Sequence, residues 1–233
     1  MKKDLKEFFI KQLINQEDKM SKFKLAIFDM DGTLLKDKGI FVIAEKKGFK
    51  NELINILRND SLEFYKRSIE VAKLLRGQKL KEFIDIFRTV PFQDNIEDII
   101  KELRKKHIKT AIATDSYQFF ADDLKLRLNI DYAFANNLIT NDGVVTGELE
   151  IHNKNLLKEF NGRIYSICKS NVLEQLCKDL GITADEAITV GDGRVDIGMI
   201  KKAGLGIAFN ALDEVKSHAD IITDDLEIIL KYI

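Results

Sequence analysis

Apolar and polar positions follow two different periods along this chain, and each change of period marks a new part. Leu5, Phe8, Phe9, Leu13 and Ile14 form one apolar stripe opposite Lys and Glu, which predicts an amphipathic helix within residues 1–20. Phe23 to Phe28 is a short, mostly apolar run, as expected of a buried parallel strand. From Ile40 to Arg88 the period is helical throughout. Helices are predicted over Ile40–Lys47, Glu52–Arg58, Leu62–Leu75 and Leu80–Phe87, separated by Gly48, Asn59-Asp60 and Gly77.

After Pro91 strands and helices alternate. Helices are predicted at Asn95–Lys106, Gln118–Leu128, Asn171–Leu180 and Ile197–Lys202, with strands at Ile108–Ala113, Ala187–Val190 and Gly206–Phe209. Tyr132–Ala135 reads as a short separate strand. Leu138–Thr140 and Val144–Leu149 read as a hairpin about Asn141-Asp142-Gly143, because Asp-Gly suits a turn needing positive φ. This alternation predicts an α/β fold of three Rossmann-like layers, with a mainly parallel sheet covered on both faces. The helical block reads as an inserted bundle. The expected organisation is therefore an N-terminal helix over 1–20, an α/β core from 21–36 and 92–233, and a helical cap over 37–91. The first helix is expected to pack on the body or on a second subunit, so a homodimer through it or through the cap stays open.

Bulk composition narrows the function. Across 233 residues, 37 basic side chains nearly cancel 38 acidic ones, so no broad basic surface for nucleic acid is implied. No apolar run is long enough to span a bilayer, and no secretory signal pattern opens the chain. Cys168 and Cys177 fit neither a metal-ligand spacing nor a disulfide framework, and a cytoplasmic protein with reduced thiols is the simplest expectation.

The candidate chemistry sits where apolar runs stop. Asp29 and Asp31 follow the first strand, two residues apart, with Gly32 allowing a turn. One carboxylate could attack phosphorus while the other exchanges a proton with the leaving alcohol and then with water. Asp192 and Asp196 bracket Gly193 after a later strand. Asp29 and Asp192, with a backbone carbonyl near Asp31, suit the oxygen coordination of Mg²⁺. Asp196 reads either as the N-cap of the helix beginning near Ile197 or as support behind the metal site. Thr114 offers a hydroxyl and an amide at a strand end. Lys169 is either a solvated lysine or the cation that so many carboxylates around a phosphate require.

In this order IFDMDGTLL, Thr114, Lys169 and GDGRVD resemble the four motifs of the haloacid-dehalogenase superfamily, in particular its phosphoserine phosphatase branch. KSNVLEQLCKDLGI and VGDGRVDIGMIKKAGLGIAFNA carry the closer likeness. The resemblance implies an enzyme, a phosphatase with Asp29 as nucleophile and Asp31 as general acid and base. It implies Thr114 and Lys169 on the phosphoryl group, Mg²⁺ at Asp29, Asp31 and Asp192, and Asp196 in support. Its substrates would be small phosphorylated metabolites.

The departures bear on which metabolite. That branch places a glutamate for the substrate ammonium where this chain has Lys38, and an arginine for the substrate carboxylate where it has Val71, with Arg67 a turn away. Val195 and Asp115 replace the asparagine and glycine usual in the last and second motifs. Lys38, Phe64 and Arg67 are accordingly the expected substrate-recognition residues, for an ester other than phosphoserine. Phosphoryl transfer to a second alcohol, or a non-catalytic scaffold that binds a phospho-ligand, are the alternatives that the same residues allow.

Overall fold

A computed structural model describes residues 21–233; the expected N-terminal helix lies outside the described residues. Seven strands form one sheet: β1 (Leu25–Phe28), β2 (Lys109–Tyr117), β3 (Tyr132–Asn141), β4 (Val144–Glu150), β5 (Ala187–Gly191), β6 (Leu205–Phe209) and β7 (Ile221–Thr223). Their order is β4-β3-β2-β1-β5-β6-β7, and only β3–β4 is antiparallel. The chain thus builds outward from β1 through β2 and β3, then returns to lay β5, β6 and β7 on its other side. The winding direction reverses between β1 and β5, which opens a crevice at the carboxyl ends of those two strands.

Side-chain alternation along β1 explains the layers. Ala26 and Phe28 join the apolar cluster on one face, with α5 (Ile96–Lys105) and α6 (Gln118–Leu128). Leu25 and Ile27 join the opposite cluster, with Val172, Leu173 and Leu176 of α7 (Lys169–Leu180). Every residue of β1, β5 and β6 is buried, as an all-parallel sheet centre requires.

Two elements differ from expectation. β2 runs to Tyr117 instead of stopping at Ala113, so Thr114 and Asp115 lie inside the strand. A register shift between Ala113 and Tyr117 accommodates their polar side chains where the pairing with β3 loosens. The predicted short strand and the first arm of the hairpin are one strand, β3. Its first half pairs parallel to β2 and its second half antiparallel to β4. Asp142 and Gly143 take φ of 48° and 74°, as a tight hairpin demands.

Between β1 and α5 stand four helices, α1 (Gly39–Lys47), α2 (Lys50–Leu57), α3 (Phe64–Leu74) and α4 (Leu80–Phe87), close to their expected spans. The two connecting segments pair with each other. The Lys36 amide donates to Pro91 O (3.0 Å) and the Gln93 amide to Leu34 O (2.9 Å). The far end of the insertion is tied to the β3–β4 hairpin, where the Gly77 amide donates to Val145 O (2.8 Å) and the Leu80 amide to Gly143 O (2.9 Å). Between these ties Phe87 is fully buried and stacks on Phe120 of α6 at 4.3 Å between ring centroids. Helices α1, α2 and α3 also share a small core of Ala44, Leu53 and Val71.

Phe87→Ala removes the main aromatic contact between insertion and core. It should cost about 3–5 kcal/mol and lower the melting temperature by roughly 10 °C for a chain of this size. A thermal melt checks this; a shift within about 2 °C would mean that the insertion is held by its backbone ties alone.

Candidate active site

The three expected motifs meet because their strands are neighbours. Asp29 follows β1 directly and its amide donates to Val190 O on β5 (2.9 Å). Thr114 lies on β2 beside it, and Asp192 follows β5 on the other side. Gly32 has φ of 95°, and a Cβ there would lie 3.0 Å from Asp192 Oδ2, so the turn after Asp31 passes close against that carboxylate. Gly191 is needed for a similar reason, since its Cβ would overlap Asp196.

Lys169 is not a solvated lysine. It opens α7 two residues earlier than the periodicity predicts, and it is fully buried. Its Nζ donates to Asp29 Oδ1 and to Asp196 Oδ1, both at 2.5 Å. Burial opposes the charge on Lys169, but Asp196 and Asp29 outweigh it and hold the ammonium above the usual lysine range. Asp196 does not cap the following helix: its side chain makes no cap hydrogen bond there. Its Oδ2 instead accepts from the Gly193 amide (2.9 Å), so one buried carboxylate braces both the Asp192–Gly193 loop and Lys169. The cap reading is thereby corrected. The geometry of the loop, which turns one 3-10 step before α8 (Ile197–Lys202), aims the carboxylate back at the sheet.

Asp31 makes no hydrogen bond to Lys169 and is held separately. Its Oδ1 accepts from the Gly39 amide (2.6 Å) at the start of α1. Burial pushes the Asp31 carboxyl up to about 7; the Gly39 amide pulls it down, and Asp29 and Asp115 push it further up. Burial, with Asp29 next, likewise raises Asp192 to about 7. Burial lifts Asp196 too, against the pull of Lys169.

Carboxylate oxygens of Asp29, Asp192 and Asp196 lie within 4.8 Å of one another. An all-oxygen donor set of this compactness, with Lys169 the one buried cation against it, fits a hard divalent cation. The Asp31 side chain is not part of that group.

A cavity of about 190 Å³ opens above the carboxylates. Asp29, Asp31, Asp115, Ser116 and Asp192 form its floor, and Lys38 stands at its edge. The helical insertion supplies the roof through Ile40, Phe41, Leu53, Leu57, Ser68 and Val71. Lys38 Nζ lies 3.9 Å from Asp192 Oδ2. Burial works against its charge, but Asp192, Asp115, Asp29 and Asp31 together raise its pKa. Thr114 and Lys169 stand behind the floor rather than in it: Thr114 is fully buried and its hydroxyl accepts from the Ser116 amide (3.2 Å).

Two expected recognition residues are elsewhere. Arg67 donates to Leu57 O (2.6 Å), Leu62 O (3.1 Å) and Asp60 Oδ1 (3.2 Å), closing the loop after α2. Phe64 packs on Tyr165 at 4.9 Å, with the Arg67 guanidinium over its ring. Neither lines the cavity. Val71 lines the roof at the position where the resemblance places an arginine, whereas Ser116 and the other apolar roof residues had not been singled out. The only signal for the latter was that Ile40, Phe41, Leu53 and Leu57 recur at helical spacing on elements of an inserted bundle, which alone reads as core.

A model of haloacid dehalogenase-like hydrolases matches residues 23–204. The chain belongs to that family. It is 35% identical over 217 residues to a phosphoserine phosphatase of Methanocaldococcus jannaschii, covering 91% of this chain and 98% of that one. It is 30% identical over 216 residues to a phosphoserine phosphatase of Campylobacter jejuni, covering 90% and 99%. Among solved structures, a phospho-aspartyl intermediate analogue of phosphoserine phosphatase superposes with a TM-score of 0.77 at 33% identity, over 91% of this chain and 99% of that one. This member of the family is therefore phosphatase-like in sequence and in fold. No helix among the described residues is long and apolar enough to cross a membrane.

Lys169→Met leaves Asp29 and Asp196 buried without their shared cation. Unfolding in urea should show a loss of about 3–5 kcal/mol, partly recovered on adding a divalent cation. A loss below about 1 kcal/mol would show that the ion pair contributes nothing net.

Proposed function

We propose that this chain is a Mg²⁺-dependent phosphomonoester hydrolase acting through an aspartyl-phosphate on Asp29, with the helical insertion as a cap. The observation that carries this reading is the pairing of Asp29 with a buried lysine inside a group of three converging carboxylates. Lys169 fixes one Asp29 oxygen by a 2.5 Å hydrogen bond, leaving the other for the cavity floor. That oxygen forms a bond to phosphorus as the bond to the leaving alcohol breaks. Asp31, pushed up to about 7 by burial, carries the proton that the departing alkoxide takes near neutral pH. The resulting Asp31 carboxylate then accepts a proton from the water that attacks phosphorus and frees Asp29. Asp29, Asp192 and the backbone carbonyl of Asp31 would hold Mg²⁺, which when bound offsets the repulsion between carboxylate and phosphate. Asp196 orients Lys169 and the Asp192 loop. Ser116, exposed to the cavity where Thr114 is not, is positioned to meet a phosphoryl oxygen.

The substrate is a small phosphorylated metabolite, and phosphoserine is not the preferred one. Lys38 at the cavity edge repels an ammonium group. Val71 in the roof offers no hydrogen bond to a carboxylate, and Arg67 is committed to backbone carbonyls. A cytoplasmic setting is in keeping with the buried free thiols of Cys168 and Cys177.

Asp29→Asn should abolish turnover of an aryl phosphate, and Asp31→Asn should reduce kcat by about 10²–10⁴. Beryllium fluoride with Mg²⁺ should raise the melting temperature of the wild type and leave Asp29→Asn unchanged. Turnover retained by Asp29→Asn would reject the assignment.

A further inference from the structure

Resting on that reading, we infer that the leaving group this site accepts is uncharged and apolar, the alkyl or aryl alcohol of a phosphomonoester. The floor and roof of the cavity differ in chemistry, and Tyr117, Gly193 and Val195 complete the lining. Every carboxylate in the lining belongs to the floor, and the single cation, Lys38, sits 3.9 Å from Asp192 among them. Lys38 is therefore engaged with the acidic floor and with whatever phosphoryl group lies there.

The roof presents Ile40, Phe41, Leu53, Leu57 and Val71, with Ser68 its one polar side chain. Ser68 Oγ already hydrogen-bonds Ser166 Oγ at 3.2 Å. A carboxylate held against this wall would lose its hydration without gaining a donor, and an ammonium would meet only the Ser68 oxygen, so both are unfavourable there. A sugar would leave several hydroxyls unpaired there for the same reason. A hydrocarbon chain or ring instead buries apolar surface against five apolar side chains, and each added carbon gains by doing so until the cavity is full. The β3–β4 hairpin holds the insertion in register over the floor through Val145 O and Gly143 O, so the wall is in place before substrate arrives.

The test is kcat/KM with Mg²⁺ for ethyl, propyl, butyl and pentyl phosphate, with phosphoserine and a hexose 6-phosphate alongside. The series should rise about threefold to fourfold per methylene and overtake both polar esters. Leu57→Asn, at a half-buried position of the wall, should flatten the series while a thermal melt shows a folded protein. A flat or falling wild-type series, a preference for phosphoserine, or an unchanged slope in folded Leu57→Asn would overturn the inference while leaving the hydrolase reading intact. Absence of turnover with every ester would instead overturn that reading, and this inference with it.

Discussion

The crowding of like charge at the reversal of the sheet constrains the rest of this molecule. Asp29, Asp31, Asp192 and Asp196 come together where water is largely excluded, and a lone buried ammonium, that of Lys169, stands among them. Repulsion at such distances in a partly dehydrated site amounts to several kcal/mol per pair, so the arrangement persists only if the fold enforces it. Strand order supplies the enforcement. β2, β1 and β5 are adjacent and fully hydrogen-bonded up to the residues where the carboxylates begin. The stability of a wholly apolar sheet centre thus holds together groups that would otherwise separate.

The same crowding gives the site its affinity for what it binds. Burial raises Asp31 and Asp192 to about 7, which marks carboxylates short of positive charge. A divalent cation and a proton on Asp31 are the two ways to supply it, and the hydrolysis proposed through Asp29 would use both. The insertion contributes in a different way: its connecting segments leave from beside Asp31, and its first helix begins with the amide that donates to Asp31. Position of the roof and orientation of Asp31 are therefore mechanically linked.

Much of this was legible from residue order, and the reasons are local. An apolar run followed by Asp-x-Asp-Gly or by Gly-Asp-Gly can be read as a strand end because burial of a parallel strand leaves no polar residue until it stops. Asp29, Asp31 and Asp192 were found that way. Lys169 could not be read from its neighbours, since a lysine before a helix is ordinary and its partners lie 140 and 27 positions away in the chain. Asp196 was ambiguous for a similar reason: the residue before a helix is usually a cap, and only the close approach of Gly191 shows that its side chain turns inward. Phe64 and Arg67 were misplaced because helical periodicity gives a face but not its depth. Arg67 lies one turn from Val71, yet the open carbonyls at the end of α2 take its guanidinium before the cavity can. The extension of β2 through Asp115 was hidden because polar residues normally end a buried strand, and a bulge is what lets this one continue.

The covalent role proposed for Asp29 admits one direct measurement. Protein mixed with substrate and Mg²⁺ should be quenched in acid during turnover, reduced with borohydride, digested and read by peptide mass spectrometry. An acyl-phosphate on Asp29 is reduced to homoserine, so the peptide spanning Phe28 to Thr33 should carry that conversion only when substrate was present. Turnover proceeding with Asp29 unconverted, or conversion at another carboxylate, would contradict the account.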